Sequence, residues 1–191
     1  MPADAMPFPD SVETEAARIA RGLRHKDLAL LDELVERYQY RLVRYLVYLT
    51  ARRGQVDDWV QETWLRVLDR AGQYDGRSRF ETWLFSIARN LAIDDLRRRQ
   101  GVSLDAAEPA GEHASPFHAA ARSEDAIRLA AALDSLEPIY REVLLLRFQE
   151  ELSLQEISQV VGAPVPTVSS RIHRGLGRLR SQWEGGVNAV G

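Results

Sequence analysis

The residues with the clearest chemical purpose lie near the carboxyl end, where a capped helix and a tight turn precede a polar helix. Ser153 and Glu156 have the S-x-x-E spacing of a capping box, which predicts that a helix begins there. Gly162 can adopt the left-handed conformation that ends a helix, and Pro164 and Pro166 keep the chain from continuing it. Two helices joined in this way can present side chains to the major groove of DNA.

The second helix of this pair is predicted to begin near Thr167 and to have one apolar and one polar face. The apolar residues expected to point inward are Val168, Ile172, Leu176 and Leu179. The outward face carries Ser169, Ser170, His173, Arg174 and Arg178. Hydroxyl, imidazole and guanidinium groups hydrogen-bond to base edges and phosphates, so the expected chemistry is recognition rather than bond making.

The charge pattern of this segment supports the same interpretation. No Asp or Glu occurs from Ile157 to Trp183, whereas the whole chain has a formal net charge of -3. A local run of positive charge on one helix is typical of phosphate contact. The alternative is a solvated amphipathic helix whose arginines only keep it soluble. The cap, the turn and the charge pattern together favour DNA binding.

A second patch, in the amino-terminal half, is acidic. Its predicted inward stripe consists of Val56, Val60, Trp64, Val67 and Ala71. Another face of the same helix carries Asp58, Glu62 and Asp69. This face could be solvated surface or could dock on a basic protein partner. The carboxylates show no sign of the burial that acid–base catalysis would require.

A third patch combines arginine with aromatic residues. A loop containing Gly76, Arg77 and Arg79 leads into a helix that begins near Phe80 and ends in consecutive arginines from Arg97. Flat rings and cations together suit unstacked bases and their backbone. Alternatively, Phe80, Trp83, Leu84 and Ile87 form a bundle core and the terminal arginines complement the helix dipole. We expect most of the aromatics to be core, with one or two reaching the surface.

The predicted fold is all-α, with two small helical domains joined by a flexible linker and a helix-turn-helix in the carboxyl-terminal domain. No segment alternates as a strand would. The predicted divisions are a disordered lead-in (1–14), a helical domain (15–100), a Pro- and Gly-containing linker (101–123), the helix-turn-helix domain (124–183) and a tail (184–191).

Composition excludes several classes of function. The chain of 191 residues has no Cys, which rules out disulfides, thiolate metal sites and a cysteine nucleophile. It has no apolar run of membrane-spanning length and no signal-peptide pattern at its start. We therefore expect a cytoplasmic protein without direct membrane insertion, catalytic residues, a metal site or a cofactor.

Several motifs occur in a familiar order. They lie at residues 58–64, 80–91, 141–148 and 152–157, followed by the helix-turn-helix. Together they resemble a bacterial sigma factor of the extracytoplasmic-function group, group 4 of the sigma-70 family. The resemblance covers roughly residues 15 to 183 in at least four motifs, which makes chance a poor explanation.

The resemblance implies a role for each patch. The surface that would bind the clamp helices of the RNA polymerase beta-prime subunit contains Asp58, Gln61 and Glu62. The residues that would melt the -10 element and capture flipped bases include Arg77, Arg79, Asn90 and Arg97. The -35 element would be read by Ser169, Ser170, His173, Arg174 and Arg178, with Arg171 nearer the backbone or the fold.

The implied partners are core RNA polymerase (also through its beta flap), promoter DNA and an anti-sigma factor, with a membrane-bound one among the alternatives. The linker would thread through the polymerase towards its RNA exit path. Ser169 stands where family members often have Lys or Arg, and Pro166 where they often have Gly. These two departures leave the preferred -35 sequence open.

The implied function is therefore promoter recognition and initiation by core polymerase, with no catalysis by the chain itself. Because the two modules are tethered, binding of one to its promoter element raises the effective concentration of the other at its own element, which strengthens binding overall. A stand-alone helix-turn-helix regulator is the main alternative, but it would need a dimerisation surface or a receiver domain. An adaptor that binds polymerase without initiating transcription is another.

Overall fold

The computed structural model describes residues 14–50, 53–100 and 124–187, and within these ranges the chain is helical with no strand. The all-α prediction is therefore confirmed. The predicted linker and most of the predicted lead-in lie outside the described residues. The helices are α1 (Glu15–Arg24), α2 (Leu28–Thr50), α3 (Val56–Asp69), α4 (Phe80–Gln100), α5 (Glu124–Asp134), α6 (Pro138–Phe148), α7 (Leu154–Val161) and α8 (Val165–Val187).

Side-chain caps mark the starts of the first two helices. The hydroxyl oxygen of Thr14 accepts a hydrogen bond from the backbone N–H of Ala17 at 3.2 Å, so α1 begins directly after a residue assigned to the lead-in. The carboxylate of Asp27 accepts hydrogen bonds from the backbone N–H groups of Ala29 and Leu30, at 3.0 and 3.2 Å. These bonds satisfy donors that the first turn of a helix leaves unpaired.

The amino-terminal half is a bundle in which α3 and α4 pack against α2. The predicted inward stripe of α3 is buried at every position from Val56 to Ala71 that the pattern named. An aromatic cluster closes the bundle around Phe80, whose ring centroid lies 5.3 Å from that of Tyr38 and 5.7 Å from that of Tyr74. The prediction that most aromatics of α4 are core is confirmed.

The helix-turn-helix forms as its caps predict. Ser153 and Glu156 make both bonds of the capping box, and Gly162 ends α7 in the left-handed conformation with φ of 65°. Helix α8 begins at Val165, slightly earlier than expected. Pro166 falls in its first turn, where a missing N–H breaks no helical bond, while the N–H of Val168 already donates to the carbonyl of Pro164 at 3.0 Å.

One inward position of α8 was predicted wrongly. Leu176 is 43% exposed, and the neighbouring Gly175 points inward instead. A Cβ atom at Gly175 would lie 3.0 Å from a methyl carbon of Leu144, so α6 and α8 approach too closely there for a larger side chain. The buried stripe therefore shifts by one residue at the point of closest helix contact.

The two halves of the chain pack on each other. Helix α7 lies against α4, and α6 lies against α2. One continuous apolar cluster includes residues of the amino-terminal half, such as Phe85, together with Leu146, Ile157 and Val168 of the carboxyl-terminal half. The two predicted domains therefore share one apolar core in this structure.

Candidate nucleic-acid and protein interfaces

The first part of α8 presents a polar face to solvent. Ser169, Ser170, His173 and Arg174 are all exposed, and Arg171 is half-buried. Val168 is fully buried in the core, which fixes the rotation of the helix about its axis. Helix α7 packs against α8 on the side opposite to this polar face. The exposed side chains near the start of α8 are therefore free to enter a groove of DNA.

Arg178, one turn beyond Arg174, is engaged within the protein. Its guanidinium donates a hydrogen bond to the carboxylate of Glu137 and lies 4.4 Å from the ring centroid of Tyr140. The hydrogen bond to Glu137 raises the pKa of Arg178. The structure therefore groups Arg174 with the open face and ties Arg178 to α6, although the sequence pattern placed both on the same face.

An acidic surface lies on α3. Asp58, Gln61 and Glu62 are all exposed, and Glu62 accepts a hydrogen bond from Arg66 at 2.9 Å. Because these carboxylates face solvent, the arrangement offers charge for docking and no enclosed site for acid–base chemistry. The described residues contain no cluster of His, Asp or Glu that could hold a metal ion.

The sequence pattern missed two apolar residues on this surface. Leu65 is 53% exposed and Leu68 is 41% exposed. They follow Gln61 by four and seven positions, so helical spacing puts them on the same face and could have revealed them. Two exposed leucines on one helix face add apolar area that a protein partner can cover.

The loop before α4 is held by its own hydrogen bonds. The hydroxyl of Tyr74 donates to the carbonyl of Ser78 at 2.7 Å, and burial raises the pKa of Tyr74 to about 12, so the donor stays protonated. Gly76 has φ of 75°, and a Cβ atom there would lie 2.9 Å from the carbonyl oxygen of Ala16. The loop can therefore keep this path against α1 only with glycine at that position.

The arginines of this loop have different environments. Arg77 is exposed, and its backbone N–H donates to the carboxylate of Asp75 at 3.0 Å. Arg79 donates to the carboxylate of Glu81 at 3.0 Å and to the carbonyl of Glu151 at 3.3 Å. The Nε atom of Arg77 also lies 3.3 Å from the Asp75 carboxylate, but its side chain remains largely in solvent, whereas Arg79 contacts the carboxyl-terminal half.

Helix α4 itself has one buried and one open side. Phe80, Leu84 and Ile87 are buried, while Trp83 is half-buried with its ring centroid 5.1 Å from that of Tyr74. Asn90 is exposed. Arg97, nearly two turns beyond Asn90, is exposed too. The structure supplies an aromatic edge, an amide and a cation along one helix, a combination that suits single-stranded nucleic acid.

The sequence pattern also missed three buried carboxylates: Glu81, Glu142 and Glu150. Burial opposes the charge of Glu81, but the hydrogen bonds of its own backbone and of Arg79 outweigh that cost and lower its pKa. No local signal marks Glu142 or Glu150, because their arginine partners are between 53 and 109 positions away in the chain.

Comparison with known protein families matches the two halves of the chain to two regions of the same family. Residues 34–102 match the family described as Sigma-70 region 2, and residues 126–179 match Sigma-70, region 4. None of the helices in the described ranges has the length and apolar character to cross a membrane.

Curated relatives extend the match over most of the chain. The ECF RNA polymerase sigma factor SigX of Bacillus subtilis is 32% identical over 159 residues, which cover 79% of this chain and 82% of SigX. SigW of the same organism is 30% identical over 174 residues, covering 85% of this chain and 93% of SigW.

Among solved structures, CnrH in complex with the cytosolic domain of CnrY shares the fold with a TM-score of 0.65 at 24% identity, covering 90% of this chain and 99% of that chain. Both sigma-70 regions are present in the expected order, and the matches to SigX and SigW cover 79% and 85% of the chain. The chain therefore belongs to the extracytoplasmic-function group of sigma-70 family RNA polymerase sigma factors.

Proposed function

We propose that this chain directs core RNA polymerase to promoters through three separate surfaces. The exposed face of α3 binds the clamp helices of the beta-prime subunit, with Asp58, Gln61 and Glu62 as its polar residues. The leucines at positions 65 and 68, both exposed, supply apolar contact area beside those charges. Association then rests on buried apolar area, while the carboxylates steer and orient the partners.

The -10 element is assigned to the loop before α4 and to α4 itself. Arg77, Asn90 and Arg97 are exposed along this surface, and the half-buried Trp83 offers a ring edge for an unstacked base. Unstacking a base costs a few kcal/mol, so a surface that is already ordered lowers the cost of capture. Arg79 joins this set once its contact with the carbonyl of Glu151 is released.

The -35 element is assigned to the amino-terminal half of α8. The observation that carries the proposal is the exposed face of Ser169, Ser170, His173 and Arg174, on a helix oriented by buried Val168. Arg171 is half-buried and contacts the DNA backbone or the fold. Arg178, bound to Glu137, orients the helix and makes no direct base contact.

The proposed roles of the remaining parts of the chain follow from these three surfaces. Residues 15–100 and 124–183 act as the two binding modules, and 101–123 connects them inside the polymerase. Exposed apolar side chains of the carboxyl-terminal half, Ile127 and Leu176 among them, suit contact with the beta flap. The chain acts where the polymerase is, in the cytoplasm, and has no catalytic activity of its own.

An anti-sigma factor is the proposed regulatory partner. CnrH was solved with the cytosolic domain of CnrY, and RpoE of Bartonella quintana was solved with the anti-sigma factor NepR. These two structures share the fold of this chain, which supports the expectation that it too is held inactive by such a partner. A membrane-anchored and a soluble anti-sigma factor are both compatible with the surfaces described.

Run-off transcription with purified core polymerase tests the proposal. Adding the chain to core polymerase should yield a transcript of defined length from a template that carries its promoter, and core polymerase alone should yield none. A stand-alone regulator would bind DNA without supporting initiation, and an adaptor would bind core polymerase without a transcript. Either of these results would contradict the proposed function.

A further inference from the structure

Pro166 is an apolar residue at the start of the helix that is proposed to read the -35 element. It lies in the first turn of α8, and its ring is exposed to solvent. Successive residues of an α-helix are rotated by about 100°, so Pro166 lies about 200° around the axis from Val168. Val168 is fully buried in the core. The proline ring therefore points away from the core, to the side of the helix that is proposed to face DNA.

Helical spacing places Pro166 within the polar face. Ser169, Ser170 and His173 follow it by three, four and seven positions, which are the spacings of residues that share one side of a helix. All three are exposed, as Pro166 is. The face that is proposed to enter the major groove thus begins with an apolar ring, continues with two hydroxyl groups and ends with the cationic side chain of Arg174.

The first turn of α8 offers few backbone donors to a phosphate. Proline has no N–H, so Pro164 and Pro166 supply none. The N–H groups of Thr167 and Val168 both donate to the carbonyl oxygen of Pro164, at 2.9 and 3.0 Å. In this turn at most the N–H of Val165 can face a phosphate, whereas the start of a helix ordinarily presents several donors. The turn is therefore better suited to apolar contact than to phosphate binding.

Thymine is the base whose chemistry in the major groove complements an apolar ring. It carries a C5 methyl group there, whereas the other bases are distinguished by hydrogen-bond donors and acceptors. A base donor or acceptor that is buried against a proline ring loses water and gains no partner, which costs free energy. Proline has no side-chain rotamers to lose, so contact with a methyl group costs little conformational entropy.

We propose that Pro166 is a specificity-determining residue of the -35 surface and that its ring contacts the C5 methyl group of a thymine. Pro166 and Arg174 are eight positions apart in the chain. This separation is about 12 Å along the helix axis, or about four base pairs of DNA. The thymine therefore lies within about four base pairs of the pair nearest Arg174. The inference rests on the proposed promoter-binding function and adds a base preference to it.

Replacement of thymine by deoxyuridine tests the contact, because it removes the methyl group and leaves base pairing intact. The holoenzyme, formed from core polymerase and the full chain, first selects a promoter from duplexes with randomised -35 and -10 regions. Each thymine of the selected -35 element is then replaced singly by deoxyuridine, and holoenzyme binding is titrated. One replacement should weaken binding about threefold to fivefold, the effect of removing one methyl group from an apolar contact.

Two matched variants assign the methyl contact to Pro166. Pro166→Ser removes the ring and keeps a small side chain in the first turn of α8. Pro164→Ser makes the same change at the exposed residue whose carbonyl oxygen accepts the first bonds of the helix, a position that favours Ser. The Pro166→Ser holoenzyme should bind the thymine and deoxyuridine duplexes equally. The Pro164→Ser holoenzyme should keep the wild-type preference for thymine.

Any of three results would overturn the inference. They are a wild-type holoenzyme that is indifferent to every replacement, a Pro166→Ser holoenzyme that still prefers thymine, and an equal loss of preference in Pro164→Ser. Circular dichroism establishes folding, and if Pro166→Ser unfolds, Pro166→Ala takes its place because alanine is a strong helix former.

The same experiment separates this inference from the proposed function. A holoenzyme that selects a promoter and initiates transcription without any dependence on a thymine methyl group rejects the role of Pro166 alone. A holoenzyme that selects no promoter and yields no transcript rejects the proposed function and the role of Pro166 with it.

Discussion

Arginine has two different roles in the two regions of this molecule. On the first half of α8, Arg174 is exposed on the polar face that is proposed to contact DNA. Between the halves, Arg89 is largely buried and donates to the carboxylate of Glu142. The comparison shows that arginine content alone does not locate a nucleic-acid surface. An arginine that is buried against a carboxylate, as Arg89 is, is not available to DNA in this structure.

Acidic residues divide in the same way. Asp58 and Glu62 face solvent on α3, while Glu142 and Glu150 are buried among guanidinium groups. The exposed pair is free to meet a partner protein, and the buried pair joins the two halves. The predictions on core binding and on α8 test this division with matched control residues, and the other two test the -10 surface.

The largest expected effect concerns core binding. Asp58→Arg combined with Glu62→Arg should abolish co-purification with core polymerase, because it reverses the charge of the proposed docking surface. Asp32→Arg combined with Glu36→Arg is the matched control, since these exposed residues on α2 have the same types and spacing. The control should co-purify normally. Undiminished co-purification of the first variant would place the docking surface elsewhere.

A smaller effect, on stability, is expected in the loop that supports the -10 surface. Gly76→Ala should lower the free energy of unfolding by about 1–3 kcal/mol, because φ is positive and the added Cβ meets the carbonyl of Ala16. Gly72→Ala is the control, as nothing lies within 4 Å of its added Cβ. Urea denaturation of both variants measures the difference. Equal stability would show that the loop adapts without strain.

The next prediction concerns strand separation. The full chain should bind single-stranded non-template DNA carrying the -10 element more tightly than the same sequence as a duplex, because the duplex must first lose stacking and pairing. Asn90→Ala should weaken the sequence preference by about 1 kcal/mol, the size of one hydrogen bond. Gln39→Ala, an exposed amide on α2, serves as the control. A fluorescence titration that finds no dependence on strandedness would exclude this surface from melting.

Local signals in the sequence account for much of the fold and for the polar faces. Ser153, Glu156 and Gly162 mark a helix and its end within ten residues, because caps act through the nearest backbone groups. The apolar stripe of α3 is equally local. Periodicity failed at Leu176, where the close approach of α6 at Gly175 shifts the buried face.

The contact between the halves could not be predicted in this way. Glu142 and Glu150 look like ordinary surface carboxylates in the sequence, and only the tertiary fold brings Arg41, Arg44 and Arg89 to them. Arg178 is similar, since helical spacing put it on the polar face, and only the tertiary fold brings its guanidinium to Glu137, 41 positions earlier in the chain. Such pairings depend on long-range packing, which no window of sequence contains.

The most direct test of the distinction between free and engaged arginines compares two residues one turn apart on α8, and the smallest expected effect is that of Arg178→Ala. Binding of a duplex carrying the -35 element should be titrated with Arg174→Ala and Arg178→Ala across a range of salt concentrations. Arg174→Ala should weaken binding by about 1–3 kcal/mol if the guanidinium contacts a base, or reduce the salt slope by about one if it contacts phosphate. Arg178→Ala should change binding by less than about 0.5 kcal/mol, because Glu137 already holds its guanidinium. Equal losses for the two variants, or a larger loss for Arg178→Ala, would contradict the account.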